Sequence, residues 1–194
     1  MANRQNDSAT FRYGHRARVF VVDGGDLVVL RRKRPDRAEP YHAIPGGGVE
    51  ESDASVEDAM RREVMEELGA VVGSAQQVFV VTGRDWERRR TMQHYFLANL
   101  LSIDFERRIG EEHHDASRGV FAEARVPFTV AAIAAAGFND RETDYLTRNH
   151  DALKALACEL RRVDAGDDED GHGDGHGDPD RDGHGDPDLR PSAS

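Results

Sequence analysis

Residues 48–70 read GVEESDASVEDAMRREVMEELGA, directly after Pro45-Gly46-Gly47. This stretch carries its own start and stop signals. Ser55 stands where a cap accepts from the backbone, Asp58 completes a Ser-x-x-Asp box, and Gly69 occupies the position of a left-handed terminator, so a helix is predicted over Ser55 to Leu68. At 100° per residue, Val56, Ala59, Met60, Val64 and Leu68 fall on one apolar stripe that must face a core. Glu63, Glu66 and Glu67 form an arc overlapping the edge of that stripe, where solubility alone would place them on the opposite side. Like charges at this spacing destabilise a helix by a few tenths of a kcal/mol per pair, and partial burial enlarges the penalty unless a cation sits among them. Oxygen-only ligation by carboxylates suits magnesium or manganese, and magnesium leaves positions for waters and substrate phosphates. Gly46, Gly47 and Gly48, just upstream, lack side chains and so allow a ligand close to their backbone.

Outward from the helix, Ala17–Val22 and Leu27–Leu30 are apolar runs separated by Asp23-Gly24-Gly25-Asp26, which predicts a hairpin. A basic loop from Arg31 to Pro40 leads to a short strand-like run, Tyr41–Ile44, that Pro45 and the glycines end. Strand signals recur at Gln77–Val81, Met92–Leu101 and, more weakly, Val120–Val126, with a polar loop at Glu106–Arg118 before the last. Helical signals lie at Ala131–Ala135 and Asp151–Arg162. Strands around a central helix with further helices near the end predict a mixed α+β architecture, a curved sheet packed against helices.

Charge divides unevenly along the 194 residues. From Asp164 to Ser194 eleven acidic residues face only Arg181 and Arg190, so nine of the eleven net negative charges lie there and the remainder carries −2. A nearly neutral domain has no global attraction for a nucleic acid backbone, and polymeric DNA or RNA is not expected as a partner. The segment from Asp164 repeats Asp-Gly-His-Gly-Asp-Pro-Asp at 174–180 and 182–188 and has almost nothing apolar to bury, so it is predicted to be a disordered tail to a domain spanning 1–163. Its His172, His176 and His184 alternate with aspartates, and solubility accounts for them better than metal capture does. The lone cysteine, Cys158, excludes an intrachain disulfide and a multi-cysteine metal site and is read as a helix residue. Met1–Thr10 is polar, and no run has the length to cross a bilayer, so the chain is expected to be cytoplasmic with no membrane partner.

The string Gly48–Ala70 resembles the Nudix box, G-x5-E-x7-R-E-U-x-E-E-x-G-U with U aliphatic. Arg62-Glu63-Val64-Met65-Glu66-Glu67-Leu68-Gly69-Ala70 fills every fixed position of its second half. The first glutamate of the box falls instead on Ala54, with Asp53 one place earlier, so Asp53 is the candidate substitute for a residue that in the family braces the box arginine, here Arg62. The resemblance, extending over roughly residues 12–135, implies the Nudix fold, an α/β/α sandwich. It implies a Mg²⁺-dependent hydrolase, with Mn²⁺ as an alternative ion, held by Glu63, Glu66, Glu67 and the Gly47 carbonyl, and by Glu112 on a distal loop. The general base stays open between Glu63, the preferred reading, and Glu111 or Glu112. Arg31–Arg34 are candidates for phosphate contacts, and Tyr41, His42, Phe79 and Trp86 for stacking on a base.

The implied substrate is a small nucleotide, foremost a nucleoside triphosphate cut to monophosphate and pyrophosphate in the MutT-like manner. A sugar nucleotide or dinucleoside polyphosphate is the close alternative. Two other classes compete: a Nudix-fold sensor that binds without cutting, which the full glutamate set argues against, and a carrier whose working part is the acidic tail. The expected protein partner is none, or a second copy of the chain in a homodimer.

Overall fold

The computed structural model describes residues 14–84, 89–110 and 119–166. Trp86, Glu111, Glu112 and most of the expected tail, including His172, His176 and His184, lie outside the described residues. Strand β1 (Gly14–Asp23) and strand β2 (Asp26–Lys33) form the expected hairpin, turning through Gly24 at a φ of 59°, which glycine adopts without a Cβ penalty. The hairpin is short, with β1 pairing β2 only from Val21 to Asp23. Along its other edge β1 runs parallel to β5 (Arg90–Ile103) in register from Gly14 to Val22. Strand β4 (Ala70–Arg84) closes that side of the sheet antiparallel to β5.

On the far side the sheet forks. Strand β2 keeps β6 (Val120–Pro127) along one edge, while its other edge leaves β1 after Val28 and takes up β3 (Tyr41–Ala43) from Leu30 to Arg32. The edge of β1 that this exposes is taken by residues 45–49: Ala17 N–H donates to Gly47 O at 3.0 Å, Val19 N–H to Pro45 O at 3.1 Å, and Val49 N–H to His15 O at 2.9 Å. The glycine turn is therefore laid into the sheet, and its backbone is satisfied as a strand's would be. Gly46, with φ of 140°, could carry no side chain here, because a Cβ would stand 2.1 Å from Ala17 O.

Strict alternation along β1 divides the interior in two. Ala17, Val19 and Val21 face one layer, where helix α1 (Val56–Leu68) buries Ala59, Met60, Val64 and Leu68 completely. Phe20 and Val22 face the other, with Phe128, Ile133 of α2 (Val130–Ala135), Leu146 of α3 (Asp140–Arg148) and Leu153 and Ala157 of α4 (His150–Ala165). The result is the mixed six-stranded sheet between helical layers that the sequence predicts. Each fully buried aliphatic side chain of α1 contributes about 1.5–3 kcal/mol. The expected stripe of the helix and both its ends are present: Ser55 Oγ accepts from Asp58 N at 3.0 Å, and Gly69, at φ of 62°, donates back to Met65 O.

Three differences from the sequence reading stand out. Helix α3 had no counterpart in it. Strand β4 begins at Ala70, seven residues before the expected Gln77, and its register with β5 shifts three times along the way. Helix α4 passes the expected domain boundary at residue 163 and ends at Ala165; Asp164 accepts from Ser74 N at 2.7 Å and so joins α4 to β4. Among the described residues no helix is long and apolar enough to cross a membrane.

Candidate active site

The fork in the sheet opens a cleft of about 1050 Å³ whose walls come from both layers. Gly46, Gly47, Gly48, Glu63 and Glu67 line it from the α1 side, and Phe138, Asn139 and Glu142 from the α3 side. Five arginines also line it: Arg16 and Arg18 of β1, Arg32 of β2, and Arg34 and Arg37 of the loop that follows.

Arg62 organises the glutamate side. Its guanidinium reaches both carboxylate oxygens of Asp53, Nε to Oδ1 and Nη2 to Oδ2, each at 3.0 Å, and Nη2 also donates to Gly48 O at 2.8 Å. Its Nη1 donates to Glu63 Oε1 at 3.1 Å and to Glu66 Oε2 at 2.9 Å. With Glu50 Oε1 at 3.6 Å from Nη1 as well, one cation thus faces four carboxylates, and the bidentate fork on Asp53 is the geometry that guanidinium favours. The hydrogen bond to Asp53 raises the Arg62 pKa, and the same bond, followed by one from Glu50 N, holds the Asp53 carboxyl below the usual carboxylate range. Asp53 therefore occupies the bracing position that the motif assigns to a glutamate, with its side chain only 5 % exposed.

Of the sequence-predicted glutamates, Glu63 is buried and Glu67 accepts from Gly46 N at 2.8 Å; both lie on the cleft wall. Glu66 is held by Arg62 and is not among the lining residues. Among the described residues no three acidic, histidine or cysteine side chains converge into a ready-made metal cage. The donor set nevertheless fits a hard cation. A Cβ on Gly47 would stand 2.2 Å from Glu63 Oε1 and 2.5 Å from Oε2, so the turn leaves a bare cradle against a buried carboxylate, the oxygen ligand a hard cation takes. Gly110, the last described residue before the distal loop, donates to Glu66 O at 3.0 Å, so that loop starts from the end of α1 that carries the glutamates.

The basic run expected to touch phosphate divides. Arg32 and Arg34 line the cleft, whereas Lys33, at the end of β2, donates to Ala38 O in the loop that follows and Arg31 is exposed. Among the aromatics, Tyr41 and His42 line the cleft, but Phe79 does not. It stacks on Tyr95 at 4.2 Å and on Tyr145 at 3.8 Å and packs against the core, because its position on β4 faces the α3–α4 layer. Sequence reasoning missed Arg16, Arg18, Arg37, Phe121, Phe138 and Glu142. Alternation assigns Arg16 and Arg18 to one face of β1, but nothing local says that this face opens on a fork.

A family model for the NUDIX domain matches residues 12–145, more than half of the chain, and the chain belongs to the NUDIX family. Among solved structures it is similar to a NUDIX hydrolase from Nitrosomonas europaea, with 16% identity, a TM-score of 0.56, and 73% of this chain and 90% of that one covered. It is also similar to the MutT NUDIX hydrolase from Burkholderia pseudomallei, at 24% identity and a TM-score of 0.45, covering 60% of this chain and 84% of that one. No protein of curated function matches it by sequence. Family and fold together make the chain a Nudix pyrophosphohydrolase in class, one of a group of enzymes that generally use a divalent metal and act on small molecules.

Proposed function

We propose that this protein hydrolyses a nucleoside triphosphate, or a closely related nucleotide, to the monophosphate and pyrophosphate, in the MutT-like manner and with Mg²⁺. The observation that carries the reading is the division of one cleft between a carboxylate wall beside bare glycines and a set of five arginines. Glu63, Glu66, Glu67 and the Gly47 carbonyl would hold the ion, Mg²⁺ or Mn²⁺, with Glu112 of the distal loop as a further ligand. When bound, such an ion supplies charge neutralisation and a water of lowered pKa.

The chain's own residues do the rest. Arg62, fixed by Asp53 and Gly48, keeps the Glu63 and Glu66 carboxylates in place. Arginines of the cleft bind the phosphate oxygens, for which paired guanidinium donors are suited. Glu63 takes the proton of the attacking water at a carboxylate oxygen. Its burial limits competing bulk water, and its hydrogen bond to Arg62 restrains the rotamer.

The test is a nucleotide panel with the purified chain and Mg²⁺, reading phosphate and pyrophosphate separately. Monophosphate plus pyrophosphate is expected, with kcat lowered about 100-fold or more in Glu66→Gln and in Glu67→Gln. Unchanged turnover in both variants would overturn the mechanism. Release of other products would point to a sugar nucleotide or dinucleoside polyphosphate.

A further inference from the structure

His15 and His94 stand on neighbouring strands and on one face of the sheet, outside the cleft. Strand β1 runs parallel to β5 with Ala17 beside His94 and His15 beside Met92, so the two histidines are one step apart along the face that carries Ala17. Their rings are stacked, with centroids 5.2 Å apart, and His15 Nδ1 lies 3.0 Å from His94 Nε2. Solvent reaches the pair, since His15 is exposed and His94 half-buried.

Both residues are held in place. The His15 carbonyl accepts from Val49 N at 2.9 Å, and His94 Nδ1 lies 2.9 Å from Gln77 Oε1 on β4. A carboxamide oxygen only accepts, so the ring proton of His94 sits on Nδ1 and the lone pair on Nε2 faces His15. Burial, and then the His15 charge, hold the His94 imidazole below the usual histidine range, which keeps the ring neutral near pH 7. A histidine that gives one ring N–H to an oxygen and presents its other nitrogen to a neighbour has the orientation of a metal ligand.

We propose that His15 Nδ1 and His94 Nε2 chelate a transition-metal ion of the Cu²⁺ or Ni²⁺ class and so clamp β1 to β5, at a site separate from the carboxylates of α1. Imidazole nitrogens bind such ions at about 2.0–2.1 Å, so two donors 3.0 Å apart subtend roughly 95° at the metal. That is the angle between adjacent ligands in square-planar or octahedral coordination, which Cu²⁺ and Ni²⁺ adopt, whereas a tetrahedral Zn²⁺ would need about 3.3 Å between them. Among the described residues no third histidine, cysteine or carboxylate completes the group, so water takes the remaining positions. On binding, the His15 proton moves from Nδ1 to Nε2 and both rings stay neutral. The site owes nothing to the hydrolase reading, and its failure would leave that reading as it stands.

The experiment adds substoichiometric Cu²⁺ to the full chain in excess Mg²⁺, which takes oxygen ligands and leaves the imidazoles to copper. Electron paramagnetic resonance of the wild type is expected to show two equatorial imidazole nitrogens, a count that depends on no variant. Cu²⁺ affinity should fall about 10-fold or more in His15→Gln and equally in His94→Gln, with the double variant no weaker than either, because a chelate is lost whole. Gln77→Leu, which frees the His94 ring, should weaken binding about 10-fold. Ni²⁺ at roughly 100 times its Kd should raise the melting temperature of wild type by about 5 °C or more and leave both single variants unmoved. Replacing His172, His176 and His184 together by Gln should change none of these values. A single coordinated nitrogen, unchanged affinity in either histidine variant, additive losses in the double variant, or loss of binding with the tail histidines would each overturn the proposal.

Discussion

Arg62 and Asp53 are joined by two parallel hydrogen bonds of 3.0 Å, and the guanidinium that makes them also holds the Glu63 and Glu66 carboxylates and the Gly48 carbonyl. The glycine turn and the glutamate helix are therefore tied through Arg62, with Glu67 accepting from Gly46 N as a second link. Removing Asp53 leaves Arg62 to swing among Glu50, Glu63 and Glu66, and the loop 48–53 keeps only the Gly48 carbonyl and the longer Glu50 contact as ties to this arginine. Asp53→Ala should cost about 1.5–3 kcal/mol, the scale of a charge-assisted hydrogen bond, and lower the melting temperature by roughly 5–10 °C. It should also reduce kcat/KM by about 10-fold or more. Arg62→Lys should resemble it, since an ammonium cannot reproduce the fork.

The same pair predicts an acid limb. Asp53 has a folded-state pKa below its ordinary value, so its contribution is present above the unfolded carboxylate pKa and is lost as pH falls through the depressed folded value. Below about pH 4 the wild type should lose stability faster than Asp53→Asn, which has no such proton to gain. Chemical denaturation at pH 3, 4, 5 and 7 reads this. Parallel profiles for the two proteins would remove the pair from the acid response.

Gly47 is the glycine whose missing side chain makes room for the Glu63 carboxylate. A methyl group there meets the Glu63 carboxylate at 2.2 Å, and that carboxylate is buried against the turn. Gly47→Ala should keep the fold but displace Glu63, with kcat falling by about 100-fold and Mn²⁺ binding, followed by electron paramagnetic resonance, weakened alongside it. Normal metal affinity and normal turnover would show that the turn plays no part in the chemistry.

Two truncations separate domain from tail. Removing residues 167–194 should leave melting temperature and hydrolysis unchanged. Removing 164–194 also deletes Asp164, whose carboxylate accepts from Ser74 N at 2.7 Å and lies where a Cβ on Gly73 would collide. The second truncation should melt several degrees lower, by roughly 1–3 kcal/mol. A loss of hydrolysis in the first would move function toward the tail.

Helix α1 was legible because its information is local. Cap, apolar stripe, terminator and box all fall within one continuous stretch, and each reappears in the structure. Helix α3 was not, for the opposite reason: Asp140–Arg148 is almost wholly polar, and its place depends on Leu146 entering the core and Tyr145 stacking on Phe79 across the sheet. The first half of β4 was missed because Gly73, Ser74, Ala75 and Gln76 have little strand propensity, and the pairing with β5 imposes the conformation. Glu63, Glu67 and Gly47 came from the motif, while Arg16, Arg18 and Glu142 depend on strand order and on which edges part company, a long-range property that no window of sequence contains. Asp53 lies between these cases. Its neighbourhood suggested a substitute, and the fork to Arg62 supplies the reason.

Because β2 abandons β1 midway, the cleft is bordered by two helices, α1 and α3, that lie some eighty residues apart and bury their apolar residues in different clusters. The α3 wall can be remodelled while the packing of α1 against the sheet stays as it is. Change in one wall of such a scaffold need not be transmitted to the other, and an engineer redesigning α3 would inherit that independence.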